Sequence, residues 1–236
     1  MPTLSIIVPC YNEQATVVEL LHQVLRADLG NYKKEIIVVD DGSSDTTPTK
    51  VRTLLPQYPE LHLLALPHRG KGAAIKAGLK RAIGDLVVVQ DADLEYDPND
   101  WRQMLELFRL PPVHVVFGSR RLLPDHKGSG ALYYWGAQCI NLVTNLLYGV
   151  RLSDQFTCYK MMRRHLLEKL NLQGEGFEID GELVAKLLKL KECIYEVPIT
   201  YHPRNRQQGK KIKVGDGARW FWQIIKHRFL PLPRSR

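Results

Sequence analysis

Short, unbroken apolar runs alternate with segments of helical spacing through the first half of this chain, and few folds accept that rhythm. The runs lie at 4–8, 35–39, 86–90 and 113–117, with a weaker one at 61–66. Continuous rather than alternating apolar character marks strands covered on both faces. Helical patterns fall between them at 13–27, 46–55, 70–83 and 98–108. The repetition predicts an α/β fold with a mostly parallel central sheet, flanked by helices and joined by right-handed crossovers. Beyond residue 124 the pattern changes to a Gly/Lys loop at 125–130, an apolar helix, a polar turn at 153–155, a helix at 177–190 and a strand at 193–199. At 236 residues the chain can bury a core without metal or disulfide staples. With 44% hydrophobic and 25% charged residues, disordered, collagenous and multi-span membrane classes are excluded.

Charge is unevenly placed. Residues 1–150 hold 15 Lys+Arg and 16 Asp+Glu, a net of −1, whereas 151–236 hold 18 and 9, a net of +9. A basic C-terminal third predicts an anionic partner: phosphate, nucleic acid or a lipid headgroup surface. Cys10, Cys139, Cys158 and Cys193 form no CxxC pair, which reads as buried free thiols in a reducing cytosol. The apolar run at 4–8 is too short for a signal peptide. The longest apolar stretch, 132–150, is interrupted by Gln138, Asn141, Thr144 and Asn145 and does not reach a membrane span. The expectation is a cytoplasmic protein, with peripheral contact at the inner face of the membrane through amphipathic helices. The candidates are the 132–147 stripe, for which core packing is the more common explanation, and the Trp220-Phe221-Trp222 segment, whose Lys/Arg flanks fit an interfacial helix better.

In open parallel sheets the ligand lies beyond the carboxyl ends of the strands, and the chemistry-bearing residues of this chain fall there. Asp91-Ala92-Asp93 follows the run at 86–90. Two carboxylates two positions apart can share magnesium or manganese, which would bridge a diphosphate; the same triplet also serves as a solvated turn and helix cap. Asp40 and Asp41 end the neighbouring run, where a carboxylate can accept a nucleobase N–H, while 43–47 has the composition of a helix start. His68-Arg69-Gly70-Lys71-Gly72 opens a helix with glycines and cations, fit to hold phosphate or to pack tightly on the sheet, with Lys71 the functional candidate. Arg120 follows the run at 113–117. Arg204, Lys210 and Lys211 belong to a basic loop that could close over a substrate, and Lys160 is a weaker candidate.

Together, Pro9-Cys10-Tyr11-Asn12-Glu13, the 40–45 and 69–74 segments, Asp91-Ala92-Asp93-Leu94-Glu95, Gly118-Ser119-Arg120 and Gly209-Lys210-Lys211-Ile212 closely resemble the family 2 glycosyltransferases of the GT-A nucleotide-diphospho-sugar transferase fold. Nearest is the branch of dolichyl-phosphate mannose synthase and bacterial polyprenyl-phosphate glycosyltransferases. The resemblance covers about residues 3–230. It implies one GT-A domain over 1–230, with a nucleotide-binding half at 1–125 and an acceptor half at 126–213, and a basic amphipathic segment at 214–236. It implies that Pro9, Tyr11, Glu13, Val38 and Asp40 surround the nucleotide and that Asp91, Ala92 and Asp93 lie at the diphosphate. Asp93 would be a direct ligand of Mg2+ or Mn2+, beside Asp91 and with Glu95 also at the metal. Arg120, Arg204 and Lys210 would hold phosphates. Many relatives carry C-terminal transmembrane helices, so a lipid acceptor here would be met by amphipathic segments or a membrane subunit.

The expected activity is inverting transfer of a hexose from a nucleotide diphosphate sugar to a polyprenyl phosphate, with Asp93, Asp91 and Arg120 the catalytic candidates. A phosphate acceptor needs no general base; a saccharide hydroxyl would, and Asp180 or Glu182 would then supply it. A nucleic-acid-binding protein and a receiver-like domain are the rivals. The first lacks any recognised module and sets acidic strand ends against phosphate, so no nucleic-acid partner is expected. The second would end halfway along the chain.

Overall fold

A computed structural model describes residues 1–123, 131–204 and 214–230. The Gly/Lys loop at 125–130 and Gly209, Lys210, Lys211 and Ile212 lie outside the described residues. The first half follows the rhythm of the sequence: β1 (Thr3–Cys10), α1 (Val17–Arg26), β2 (Lys33–Asp40), α2 (Thr47–Leu54), β3 (Leu61–Ala65), α3 (Lys71–Arg81), β4 (Leu86–Val89), α4 (Trp101–Leu107) and β5 (Val115–Ser119). The second half supplies α5 (Ala131–Tyr148), β6 (Lys160–Arg163), α6 (Arg164–Lys169), α7 (Glu178–Lys189), β7 (Ile194–Pro198) and α8 (Val214–Phe229).

One seven-stranded sheet, ordered β3-β2-β1-β4-β6-β5-β7, runs through both halves. All neighbours pair in parallel except β6, which is antiparallel to β4 and to β5. Both faces are covered. Leu4, Ile6, Val8, Ile36 and Val38 turn into a core with residues of α1 and α4, and Ile7, Ile37, Val39 and Val87 turn into a second core with residues of α3 and α7. Gly78 of α3 lets this helix sit close: a Cβ there would lie 2.5 Å from Ile7 Cγ2.

Two expectations need correction, and two elements of the second half were not foreseen. β6 and α6 were not legible as elements, because Lys-Met-Met-Arg has no β-branched residue and charged ends. The Trp220 segment is only partly outward: Trp220 and Ile224 are buried, with Trp220 on Phe156 at 4.4 Å between ring centroids as α8 lies along α7, while Trp222 and Phe229 are exposed. Cys10 and Cys158 are buried thiols, but Cys139 and Cys193 are exposed. Among the described residues no helix is long and apolar enough to cross a membrane.

Candidate active site

The carboxyl ends of β1, β2 and β4 meet along one edge, and their loops are stitched together. Asn12, with φ of 51°, donates its backbone N–H to Ser43 Oγ at 2.9 Å and takes the Ser44 N–H on its side chain at 2.9 Å. Glu13 N–H donates to Thr47 Oγ1 at 2.9 Å, so the expected helix at 13–27 gives up its first turn to this loop and begins at Val17. Asp40, at the last position of β2, is buried, and its Oδ1 has no hydrogen-bond partner. A buried acceptor without a donor is costly unless a ligand supplies one.

Asp41 is used differently. Its two oxygens accept the N–H groups of Arg69 and Gly70 at 2.9 and 2.8 Å, and His68 Nδ1 lies 2.8 Å from it. Its carboxylate therefore holds the loop that begins α3, and His68 stacks on Tyr11 at 4.1 Å. Gly70 has φ of 116°, and a Cβ on it would lie 2.6 Å from the Glu175 carbonyl oxygen. That close approach aims Lys71 at the acidic edge.

Lys71 Nζ lies 2.8 Å from Asp91 Oδ1 and 3.8 Å from Asp180 Oδ2, and Lys160 Nζ lies 3.2 Å from Asp180 Oδ1. The four form an alternating chain of charge from the end of β4 to α7. Burial alone would raise the Asp180 carboxyl, but Lys160 and Lys71 outweigh it and hold the group below its ordinary value. Glu182 turns away from the edge. It is paired with Lys186 at 2.6 Å and accepts the N–H groups of Gln173 and Gly174.

Asp93 is shifted in the opposite direction to Asp180. Burial, then the Asp91 and Glu95 carboxylates, push it up to about 7 against the pull of Arg204. Arg204 lies 3.2 Å from Asp93 and 3.3 Å from Glu13. Glu95, expected at the metal, has both oxygens engaged: one accepts the Arg204 N–H at 2.8 Å and the other the Tyr201 hydroxyl at 3.0 Å. A bridge between Tyr96 and Tyr201 anchors the same segment. Among the described residues no three acidic, His or Cys side chains form a ready metal cage. The donor set at Asp91 and Asp93 nevertheless fits a hard divalent cation: it is oxygen-only, and the burial and like charge that raise Asp93 are what such a cation would offset.

Arg120, at the end of β5, is committed to Asp154, with Nε and Nη2 at 2.7 and 2.8 Å from its two oxygens, and lies over the Tyr201 ring at 4.9 Å. Burial would raise Asp154, but the Arg120 guanidinium holds it below the usual carboxylate value. Pro9 is half-buried in β1, whereas Val38 and Ala92 are buried and Val38 belongs to the apolar core. The edge thus gathers Tyr11, Glu13, Asp40, Lys71, Asp91, Asp93 and Arg204, and leaves Asp41, Glu95 and Arg120 as the struts that fix their loops. Asp154 was missed in the sequence because nothing local distinguishes it from a turn residue.

A family model described as "Glycosyl transferase family 2" matches residues 5–171. The chain is 29% identical over 88% of its length to a dodecaprenyl-phosphate galacturonate synthase of Rhizobium johnstonii, covering 61% of that protein. It is 31% identical over 88% of its length to a dolichol-phosphate mannosyltransferase of Pyrococcus furiosus, covering 58% of it. The chain therefore spans about three fifths of the length of these relatives. In fold it is similar to glucosyl-3-phosphoglycerate synthase from Mycobacterium tuberculosis, solved with Mn2+, UDP and phosphoglyceric acid. The TM-score is 0.75 at 18% identity, covering 98% of this chain and 80% of that one. Edge, sheet and family match agree: this chain has a GT-A-like α/β fold and belongs to glycosyl transferase family 2.

Proposed function

We propose that this chain moves a hexose, with inversion, from a nucleoside diphosphate sugar to a polyprenyl phosphate at the cytoplasmic face of a membrane. The observation that carries the reading is the Asp91/Asp93 pair at the end of β4, where burial and then neighbouring carboxylates raise Asp93 to about 7, countered by Lys71 and Arg204. The buried Asp40 Oδ1, without a hydrogen-bond partner, would accept a base N–H. Mg2+ or Mn2+ held by Asp91 and Asp93 would supply Lewis-acid stabilisation of the leaving diphosphate. Lys71 and Arg204 add positive charge from the two sides of that pair. The bond from the anomeric carbon to the diphosphate oxygen breaks as a bond to the acceptor phosphate oxygen forms on the opposite face. The relatives whose names specify dodecaprenyl or dolichol phosphate support this acceptor class, while their sugars differ.

The engagement of the two carboxylates expected to serve as a base supports the same acceptor. Asp180 is held between Lys71 and Lys160, and Glu182 is bound to Lys186 and backbone, so neither is disposed to take a proton from a saccharide hydroxyl. We read 1–125 as the donor half, 126–213 as the acceptor half and 214–236 as a basic amphipathic segment. Calorimetry with UDP and GDP, with manganese and with chelator, tests the reading, followed by transfer from GDP-mannose and UDP-glucose to polyprenyl phosphate. Manganese-dependent binding that Asp93→Ala abolishes is expected. No nucleotide affinity, or full turnover in that variant, would overturn it.

A further inference from the structure

Lys71 stands between two carboxylates and is shared unequally. Its Nζ lies 2.8 and 3.0 Å from the two oxygens of Asp91 and 3.8 Å from Asp180 Oδ2, with the ring of Phe177, the N-cap of α7, 5.7 Å away. The second carboxylate is held ready. Lys160 of β6, anchored on the Thr157 carbonyl, grips Asp180 Oδ1 at 3.2 Å and leaves Oδ2 turned to Lys71. The backbone beneath Lys71 is fixed on the same side. Ala73 N–H donates to the Glu175 carbonyl at 3.1 Å, and a Cβ on Gly72 would lie 2.6 Å from the Gly174 carbonyl oxygen. The start of α3 is thus tied to the loop before α7, and the lysine side chain rather than the helix passes between the two acids.

The pairing with Asp91 conflicts with metal binding at the same residue. Asp91 and Asp93 are the oxygen donors that fit a divalent cation, and Lys71 engages both oxygens of Asp91. An ammonium on the ligand oxygens repels a dication. Expulsion into solvent is no remedy, since the Lys71 side chain is 14% exposed and a buried, unpaired ammonium is costly. Asp180 Oδ2 resolves the conflict. A small swing brings the ammonium onto it and off Asp91, and keeps positive charge at the edge where a diphosphate would lie.

We infer, resting on the metal-dependent reading of this edge, that Lys71 changes seats when a divalent cation binds Asp91 and Asp93. It leaves Asp91 for Asp180, so that Asp180 sets metal affinity without touching the metal. Asp180 is then a positioning residue that acts through Lys71.

Manganese titrated into the whole chain, followed by calorimetry and by the EPR signal of free Mn2+, tests this without turnover. Lys71→Met should bind Mn2+ about tenfold more tightly than wild type, and Asp180→Asn about tenfold more weakly. In the Lys71→Met background, Asp180→Asn should change affinity by less than about twofold, because the seat has lost its occupant. A loss there as large as in wild type overturns the proposal, since Asp180 would then act by its own charge. Asp180→Asn alone leaves Lys160 buried without a carboxylate, so Asp180→Asn/Lys160→Met is the second variant. It removes one charge of each sign and should still weaken Mn2+ binding while Lys71 is present. Wild-type affinity in that variant, or in Lys71→Met, also overturns the proposal. UDP and GDP titrated with Mn2+ separate the two readings. Metal-dependent nucleotide binding without coupling between Lys71 and Asp180 sinks only the exchange of seats. No Mn2+ affinity in any of these proteins, with or without nucleotide, sinks the metal-dependent transferase and the exchange with it.

Discussion

Asp40 and Asp154 are both buried carboxylates near strand ends, yet they do opposite work because of what faces them. Asp40 keeps one oxygen without a donor. Asp40→Ala should therefore weaken nucleotide binding about tenfold, the worth of a hydrogen bond to a charged group, with little change in thermal midpoint. Titration calorimetry reads the first and a melting curve the second. Asp154 is saturated by Arg120. Arg120→Ala leaves it buried and uncompensated, which should cost about 3–5 kcal/mol in urea unfolding. Arg120→Lys should recover only part, since an ammonium cannot make the paired contact. The pH dependence has a definite sign. Asp154 titrates below its unfolded value of about 4, so its contribution is complete above that pH and is lost as pH falls through the lower, folded value. Stability measured below about pH 4 should fall less steeply in Arg120→Ala than in wild type. None of this division was readable beforehand. The clustering of acids at strand ends was visible, but Asp41 is satisfied by the N–H groups of Arg69 and Gly70, and Arg120 by Asp154, partners remote in the sequence.

At the scale of elements, legibility followed burial. β1, β2 and β4 lie inside the sheet with both faces covered, so their runs are unbroken and their positions were evident. β6 was hidden because its Lys160 is buried only through its pairing with Asp180 and its own loop, a contact no local pattern announces. α5 and α8 were legible as helices but not in orientation: Trp220 went inward and Trp135 outward, since α7 offers Gly181 as a seat for Trp220. The start of α3 gives the sharpest test at this level. Gly70→Ala meets both an unfavourable φ and the Glu175 carbonyl, and should destabilise by roughly 1–3 kcal/mol while loosening Lys71 from Asp91. Gly215→Ala, where a Cβ would meet nothing, serves as the control in the same thermal melts. Equal melting of the two variants would contradict the account.

Across the whole molecule, the two halves implied by the motifs are not separable bodies. β6 belongs to the second half by sequence but lies between β4 and β5, and β7 closes the far side of β5. A chain stopped after Tyr159 retains β1 to β5 yet lacks the strand that joins β4 to β5, and it should pellet or form large oligomers in size-exclusion chromatography. A soluble monomer would refute this. The single antiparallel strand therefore imposes a schedule on biogenesis. Until Arg163 emerges from the ribosome, β4 presents a raw hydrogen-bonding flank to whatever passes, and the nascent chain must be shielded or wait.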